Sequence, residues 1–554
     1  MRIPVASLLL ALFALGVRAQ EGVERPGGAA GDATAQLPKG TPVSFRIASF
    51  DRVDAIVKEW VPMLKALGLG EEVAPLEQMP ASNYLFMLSG LNAEIVDRTK
   101  PIYVGLVGDD KPVVVLHPAA GAAWEGKKEL REGHFAVLRG GAIVAGEGGL
   151  LDTEARGTPT TFRVEGDAVL HVYLGELIAA HKDEIEQNAT EAAMGVAAMG
   201  QVPEQARALI LPIVTSVKDG ILSLESFDYG LTWTGERLET EGFLAVAEGS
   251  GLRNLLKRAG EPGSTDLVAY LPKEAYMTIT GCMNPDWPTK ELKEVLEKAG
   301  GTDVATALMQ LLSMGSAFDE SRTGRTAASV NMNPMAMAMS ITTLVELKEG
   351  VDPAKLIESV NMEKTNEALK KIGIPIGYAF TKGVGKHGET ELHRFGMTSE
   401  DGNLGMMFAM MQGCMAIDKG ILFMTMSATA DDDMKALLDR VNRGEKIADH
   451  PHAQAMARLG RGHNIGFTIN LGALKPMGMM IGMVAPGMPP EVIQAIQNIP
   501  DVLPLSTAIT FPDGNIRWRG DWPVKEVAKV AETIRGAIPE AEPPAPEPED
   551  EKFD

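Results

Sequence analysis

The chain reads as an α+β protein built from two tandem related halves, each a mainly antiparallel sheet with packed helices. Three observations predict this. Four segments recur in the same order along the 554 residues. Several of them alternate apolar and polar residues around glycine-containing turns, the mark of antiparallel hairpins. Others place apolar residues at helical spacing, so helices must bury one face on the sheets.

The clearest recurrence is "GVAAMGQVPE" (195–204) against "GMVAPGMPPE" (482–491), in which Gly195, Gly200, Pro203 and Glu204 return as Gly482, Gly487, Pro490 and Glu491. Upstream, "GDAVLHVYLGEL" from Gly166 matches "GHNIGFTINLGAL" from Gly462, both ending in Leu-Gly-x-Leu. Downstream, "LTWTGERLETEG" from Leu231 lies without gaps on "ITFPDGNIRWRG" from Ile509, one hairpin written twice. The match predicts that Trp233 and Phe511 occupy equivalent sites. Finally "AVAEGSGLRNLLKRA" from Ala245 answers "PVKEVAKVAETIRGA" from Pro523, both helical in spacing.

Earlier in each half the correspondence is looser. "TPVSFRIASFDRVDAI" from Thr41 and "TDLVAYLPKEAYMTI" from Thr265 read as opening strands, the first followed by a helical stripe of Ile56, Trp60, Leu64 and Leu67. "FAVLRGGAIVAG" from Phe135 and "CMAIDKGILFMTMSA" from Cys414 read as strand pairs, each followed by Leu-Leu-Asp, at 150–152 and 437–439. The second half carries an insertion around Gly373 to Phe395. The halves therefore span about 39–260 and 264–538, sizes that suit domains. This layout of signal, opening strand, helix and meander, written twice, resembles uncharacterised exported bacterial proteins built from two related α+β halves. The resemblance implies no known activity.

The ends read differently. "MRIPVASLLLALFALGVRAQ" has an early arginine, an apolar run and a small-residue exit, predicting a secretory signal (1–19) cleaved near Ala19. Residues 20–38 form a flexible linker and 539–554 a disordered, acidic, proline-rich tail, since neither can bury a core. Export to the periplasm or beyond follows. No later run is apolar enough for a membrane span. With 52 basic against 74 acidic residues the net charge is −22, which excludes nucleic acid as a partner.

Chemistry is sought next in cysteine, methionine and histidine. Cys282 and Cys414 are the two cysteines, and export leaves open either a disulfide between them or two buried thiols. Thirty methionines stand against 5% aromatics, so thioethers fill space that rings would otherwise take. Met477, Met479, Met480, Met483 and Met488 crowd one stretch, yet Met483 and Met488 align with Val196 and Gln201, which argues for adaptable apolar surface rather than coordination. Met335, Met337 and Met339 alternate as on one strand face, and "GMMFAMMQGCM" (405–415) is similar; Cu(I) binding is the rival to core filling there.

His450 and His452, with Asp449 beside them, are too few for a firm zinc site, and Pro451 between them points to a helix start. "HGETELH" (387–393) has the wrong spacing for a zinc protease, and "KGVGKHGE" the wrong spacing for a phosphate loop. "ADDDMKALL" (430–438) stacks carboxylates where a helix dipole favours them. No catalytic residue, metal ligand or cofactor is assigned. The expected function is an exported, non-enzymatic binding protein holding an apolar ligand or a protein partner at the boundary between halves. A hydrolase with catalytic residues scattered in sequence, or periplasmic Cu(I) binding by methionine clusters, are the alternatives.

Overall fold

The computed structural model describes residues 33–537 except 67–79, 87–90, 199–203, 295–317, 334–337, 372–375, 400–411, 445–449, 476–489 and some single positions and pairs. The strands are β1 (Val43–Ile47), β2 (Ile102–Val107), β3 (Lys111–Leu116), β4 (Lys127–Arg131), β5 (His134–Arg139), β6 (Ala142–Glu147), β7 (Ala168–Val172), β8 (Leu224–Trp233) and β9 (Leu238–Val246). Then come β10 (Met277–Cys282), β11 (Arg322–Asn333), β12 (Ala338–Leu347), β13 (Ile376–His387), β14 (Thr390–Ser399), β15 (Gln412–Asp418), β16 (Ile421–Ser427), β17 (Ile465–Ile469), β18 (Leu505–Thr510) and β19 (Ile516–Trp522). About twelve helices accompany them among the described residues.

All nineteen strands join one sheet, and every pairing between them is antiparallel. Followed through its pairings, the order is β4-β5-β6-β3-β2-β1-β7-β8-β9-β19-β18-β17-β10-β11-β12-β16-β15-β14-β13. Two separate sheets were the natural expectation. Instead β9 and β19 pair with each other over seven residues, so neither is left as an open edge.

Directly paired residues share a face, which separates two surfaces of the middle of the sheet. One carries small and charged groups, among them Ser44, His171, Asp228, Glu241, Arg519, Ser506, Thr468 and Thr278. The other carries Phe45, Leu170, Tyr229, Trp518, Ile509 and Phe467. At one end of the apolar face lies helix Phe50–Ala66, which buries Val53, Ile56, Val57, Trp60 and Val61 against Ile47, Ile143 and Trp233. Ile56 and Trp60 belong to the expected helical stripe; the Leu64 side chain and Leu67 lie outside the described residues. In the C-terminal part, helix Ala430–Arg443 buries Met434, Leu437, Leu438 and Val441 against Leu344 and Phe423.

One local expectation fails. "DLVAY" is a 3-10 helix, Asp266–Tyr270, and the strand starts only at Met277, because Leu267, Val268 and Ala269 are all buried in succession where a strand face would alternate. Of the two alternatives left open for Cys282 and Cys414, the structure has the second: both are free, buried thiols. They stand on β10 and β15 with β11, β12 and β16 between, roughly 19 Å along the sheet at the usual strand spacing. A disulfide needs Cα atoms within about 7 Å.

Candidate functional site at the β9–β19 pairing

The pairing of β9 with β19 joins residues far apart in sequence and presents different chemistry on its two faces. On the polar face Glu241 Oε1 accepts from Arg517 Nε and Arg519 Nε, both at 2.9 Å. Asp521, 3% exposed, accepts from Arg458 Nε and lies 3.7 Å from Arg237 Nη1. Beside these pairs are two cavities that share Leu459 and Arg519. One, of about 450 Å³, is lined by Lys257, Glu261, Phe511, Asp513 and Arg517. The other, about 330 Å³, is lined by Glu165, Glu239 and Asp521. Burial, with Asp521 nearby, raises the Glu239 carboxyl above its ordinary range.

The apolar face at the same place carries an aromatic platform. Phe227 and Tyr229 stack with centroids 6.4 Å apart and planes 7° from parallel, and Trp518 lies 5.6 Å from Phe227 and 6.4 Å from Tyr229. Gly242 makes this arrangement fit, because a Cβ there would overlap the Trp518 indole. All three rings are half-buried. A second apolar surface is the helix pair Lys182–Ala198 and Glu204–Leu222. There Met194 and Leu211 are each 60% exposed and Val217 58%, with Ile213 and Ile221 on the same stripe as Val217.

The histidines singled out in sequence are buried hydrogen-bonding groups. His450 Nε2 donates to the Leu271 carbonyl at 3.1 Å and His452 Nε2 to that of Ala275 at 3.0 Å. Pro451 opens helix Pro451–Arg458 with His450 at its cap, one residue after Asp449, the helix start read from the sequence. His452 Nδ1 accordingly accepts from the Thr468 hydroxyl. Burial and neighbouring His450 push His452 down to about 4. His387 pairs with Asp439 at 2.7 Å, and His393 Nδ1 accepts from the Gly383 amide at 3.1 Å, so "KGVGKHGE" is the end of a hairpin. Among the described residues no group of three His, Cys, Asp or Glu could hold a metal.

Asp431, Asp432 and Asp433 fill the first turn of their helix, and Asp433 accepts from Ser427 and Ser340. Of the methionines, Met339 stands on β12, 45% exposed, while Met415 on β15 is buried. Met335, Met337, Asp449 and the run from Met477 to Met488 lie outside the described residues.

One constellation escaped the sequence altogether. His171 on β7 and Asp228 on β8 are directly opposite, His171 Nδ1 is 2.8 Å from Asp228 Oδ1, and the two are 4% and 0% exposed. Nothing in "VLHVY" or "LESFDYG" marks them apart from a polar residue at an inward strand position.

No known protein family and no curated protein matches the sequence. A solved structure, crystal form I of TP0453, aligns at 11% identity over 49% of this chain and 98% of its own, with a TM-score of 0.20, which is too low to carry any argument.

Proposed function

We propose that the chain is two related copies of one α+β unit joined through β9 and β19, and that it works as an exported binding protein. Its ligand is apolar and lies on the platform of Phe227, Tyr229 and Trp518 where the copies meet. The duplication is supported by the strand order. Outward from β9 it runs β8, β7, β1, β2, β3, β6, β5, β4; outward from β19 it runs β18, β17, β10, β11, β12, β16, β15, β14, and only β13, in the expected insertion, is extra.

Registers give further support. Leu231 and Ile509, matched in sequence, pair with Ala168 and Ile465, which the Leu-Gly-x-Leu match equates independently. Glu241 and Arg519, equivalent in the same hairpin match, face each other across the joint, as a local two-fold axis requires.

The observation that carries the binding reading is the half-buried aromatic platform. Rings of this kind bury large apolar area with little conformational loss. Native mass spectrometry of the full chain purified from its export compartment should show a co-purifying apolar molecule, and oleate should quench Trp518 saturably. Trp518→Ala should remove the response. An empty protein with no saturable quenching would sink the reading.

A protein partner is the second reading, favoured by the exposed stripe of Ile213, Val217 and Ile221. Val217→Glu should then abolish capture of that partner and leave oleate quenching unchanged.

A further inference from the structure

On the polar face, at the end of β7 and the start of β8, lies a cavity of about 540 Å³ lined by Lys39, Arg156, Arg163, His171, Tyr173 and Ser226, with Glu176 and Glu225 also at its wall. Three features set it apart. His171 is held through Nδ1 by Asp228, and its Nε2 is buried without a hydrogen-bond partner. The Arg156 side chain is only 9% exposed; its guanidinium stacks 3.8 Å above the Tyr173 ring, and Glu176 is 3.8 Å away. Arg163 contacts the Ser226 hydroxyl at 3.3 Å and the Phe243 ring, both uncharged, and has no ion pair among the described residues.

A buried carboxylate costs desolvation, and a buried nitrogen without a partner adds to that cost. The fold does not demand either. At the matching register of β17 and β18 the chain places Thr468 opposite Ser506, and helix Pro451–Arg458 fills the space above them. This comparison rests on the duplication; the cavity and its charges do not.

We propose that this cavity binds the oxyanion head of a small organic molecule, a carboxylate or a phosphate ester, between Arg156, Arg163 and the His171 Nε2 position. The volume is that of a small-molecule site, far larger than an oxyanion alone, so the remainder of the ligand lies along Tyr173 and Thr161. Guanidinium groups suit either head because their donors are arranged as a planar fork. Nδ1 faces Asp228 Oδ1, so Nε2 is the ring nitrogen left to meet the anion. The charges facing the anion are Lys39, Arg156 and Arg163 against Asp228, Glu176 and Glu225.

The test uses the full chain, sulfate as the tetrahedral probe and acetate as the planar one. The His171 ring resonance should shift saturably at millimolar probe. Calorimetry should show saturable sulfate binding that His171→Gln weakens. Arg163→Gln, at an exposed position, should weaken binding about tenfold, the loss of ~1.4 kcal/mol. Tighter sulfate assigns a phosphate ester and tighter acetate a carboxylic acid. The proposal is overturned if the folded protein shows no saturable shift with either probe, or one that Arg163→Gln and Arg156→Gln leave unchanged. Oleate quenching of Trp518 is read separately, so failure here and failure of the apolar site are distinguishable.

Discussion

Two places in the sheet have the same register and opposite solutions. On β17 and β18 a neutral chain closes on itself: Thr278 donates to Thr468, at 2.6 Å, Thr468 to His452 Nδ1, and His452 Nε2 to the Ala275 carbonyl. On β7 and β8 the corresponding positions hold Ser44, His171 and Asp228, and Ser44 Oγ, His171 Nε2 and Asp228 Oδ2 are all buried without hydrogen-bond partners. The difference teaches where to look for a ligand. A register that hydroxyls can satisfy does not need a histidine against a buried carboxylate, so unfinished polar atoms beside a cavity mark a place for a ligand to complete.

The largest effect expected comes from breaking the His171–Asp228 contact by one residue. His171→Ala leaves the Asp228 carboxylate buried and unpaired and should cost ~3–5 kcal/mol, seen as a lowered urea midpoint. The double change His171→Thr with Asp228→Ser installs the residues of the other region and should recover most of that loss. If the double variant is as unstable as the single one, the pair is a requirement of the fold after all.

Acid should break the neutral solution instead. His452 is uncharged in the fold, with its value pushed down to about 4, whereas the unfolded chain takes up a proton near the ordinary histidine value of about 6.5. The unfolded state therefore binds more protons between these values. Stability is fully present above about pH 6.5 and declines as pH falls towards 4, by roughly 3 kcal/mol from this residue. His463, lowered by burial beside Thr280, acts in the same direction. Urea unfolding at pH 7.5 and pH 4.5 measures the slope, and His452→Gln should flatten it.

These two regions also show what sequence could reveal. The hairpins at Leu231 and Ile509 were legible because alternation and turn chemistry are local, and both are present as β8–β9 and β18–β19. The single sheet was not, because pairing between β9 and β19 depends on edges that no local pattern names. The His171–Asp228 contact was hidden likewise: it is made across strands 57 residues apart. The strand assigned to "DLVAY" failed because an apolar run alone does not distinguish a buried turn of helix from a strand.

A smaller effect separates the two sides of the joint itself. Gly242 and Gly520 are equivalent in the hairpin match, yet a Cβ at Gly242 would overlap the Trp518 ring, whereas one at Gly520 would meet the Thr240 hydroxyl and the edge of Trp522. Gly242→Ala should cost ~1–3 kcal/mol through overpacking and displace Trp518 from the platform. Gly520→Ala should cost less, because a hydroxyl can turn away. Thermal unfolding of the two variants, with Trp518 emission as a second readout, decides it. Equal losses would mean that the platform is no more tightly built than the strand beside it.

The smallest expected effect concerns Cys282 and Cys414, where the comparison between regions predicts nothing will change. Four strand spacings separate β10 from β15, and no local rearrangement closes that gap while β11, β12 and β16 remain paired between them. Cys414 is fully buried in the core around Phe423, and burial together with Asp431 pushes its thiol up to about 12; Cys282 is raised by burial as well. Thiolates are the reactive form, so neither sulfur should oxidise or alkylate readily in the folded chain. Intact mass should be the same before and after reduction, and the unfolding midpoint should not move with reductant. Alkylation should appear only in denaturant, two groups per chain. A mass increase of about two units on reduction, the mass of two hydrogens, would instead establish a disulfide. The strand order between β10 and β15 would then have to be wrong.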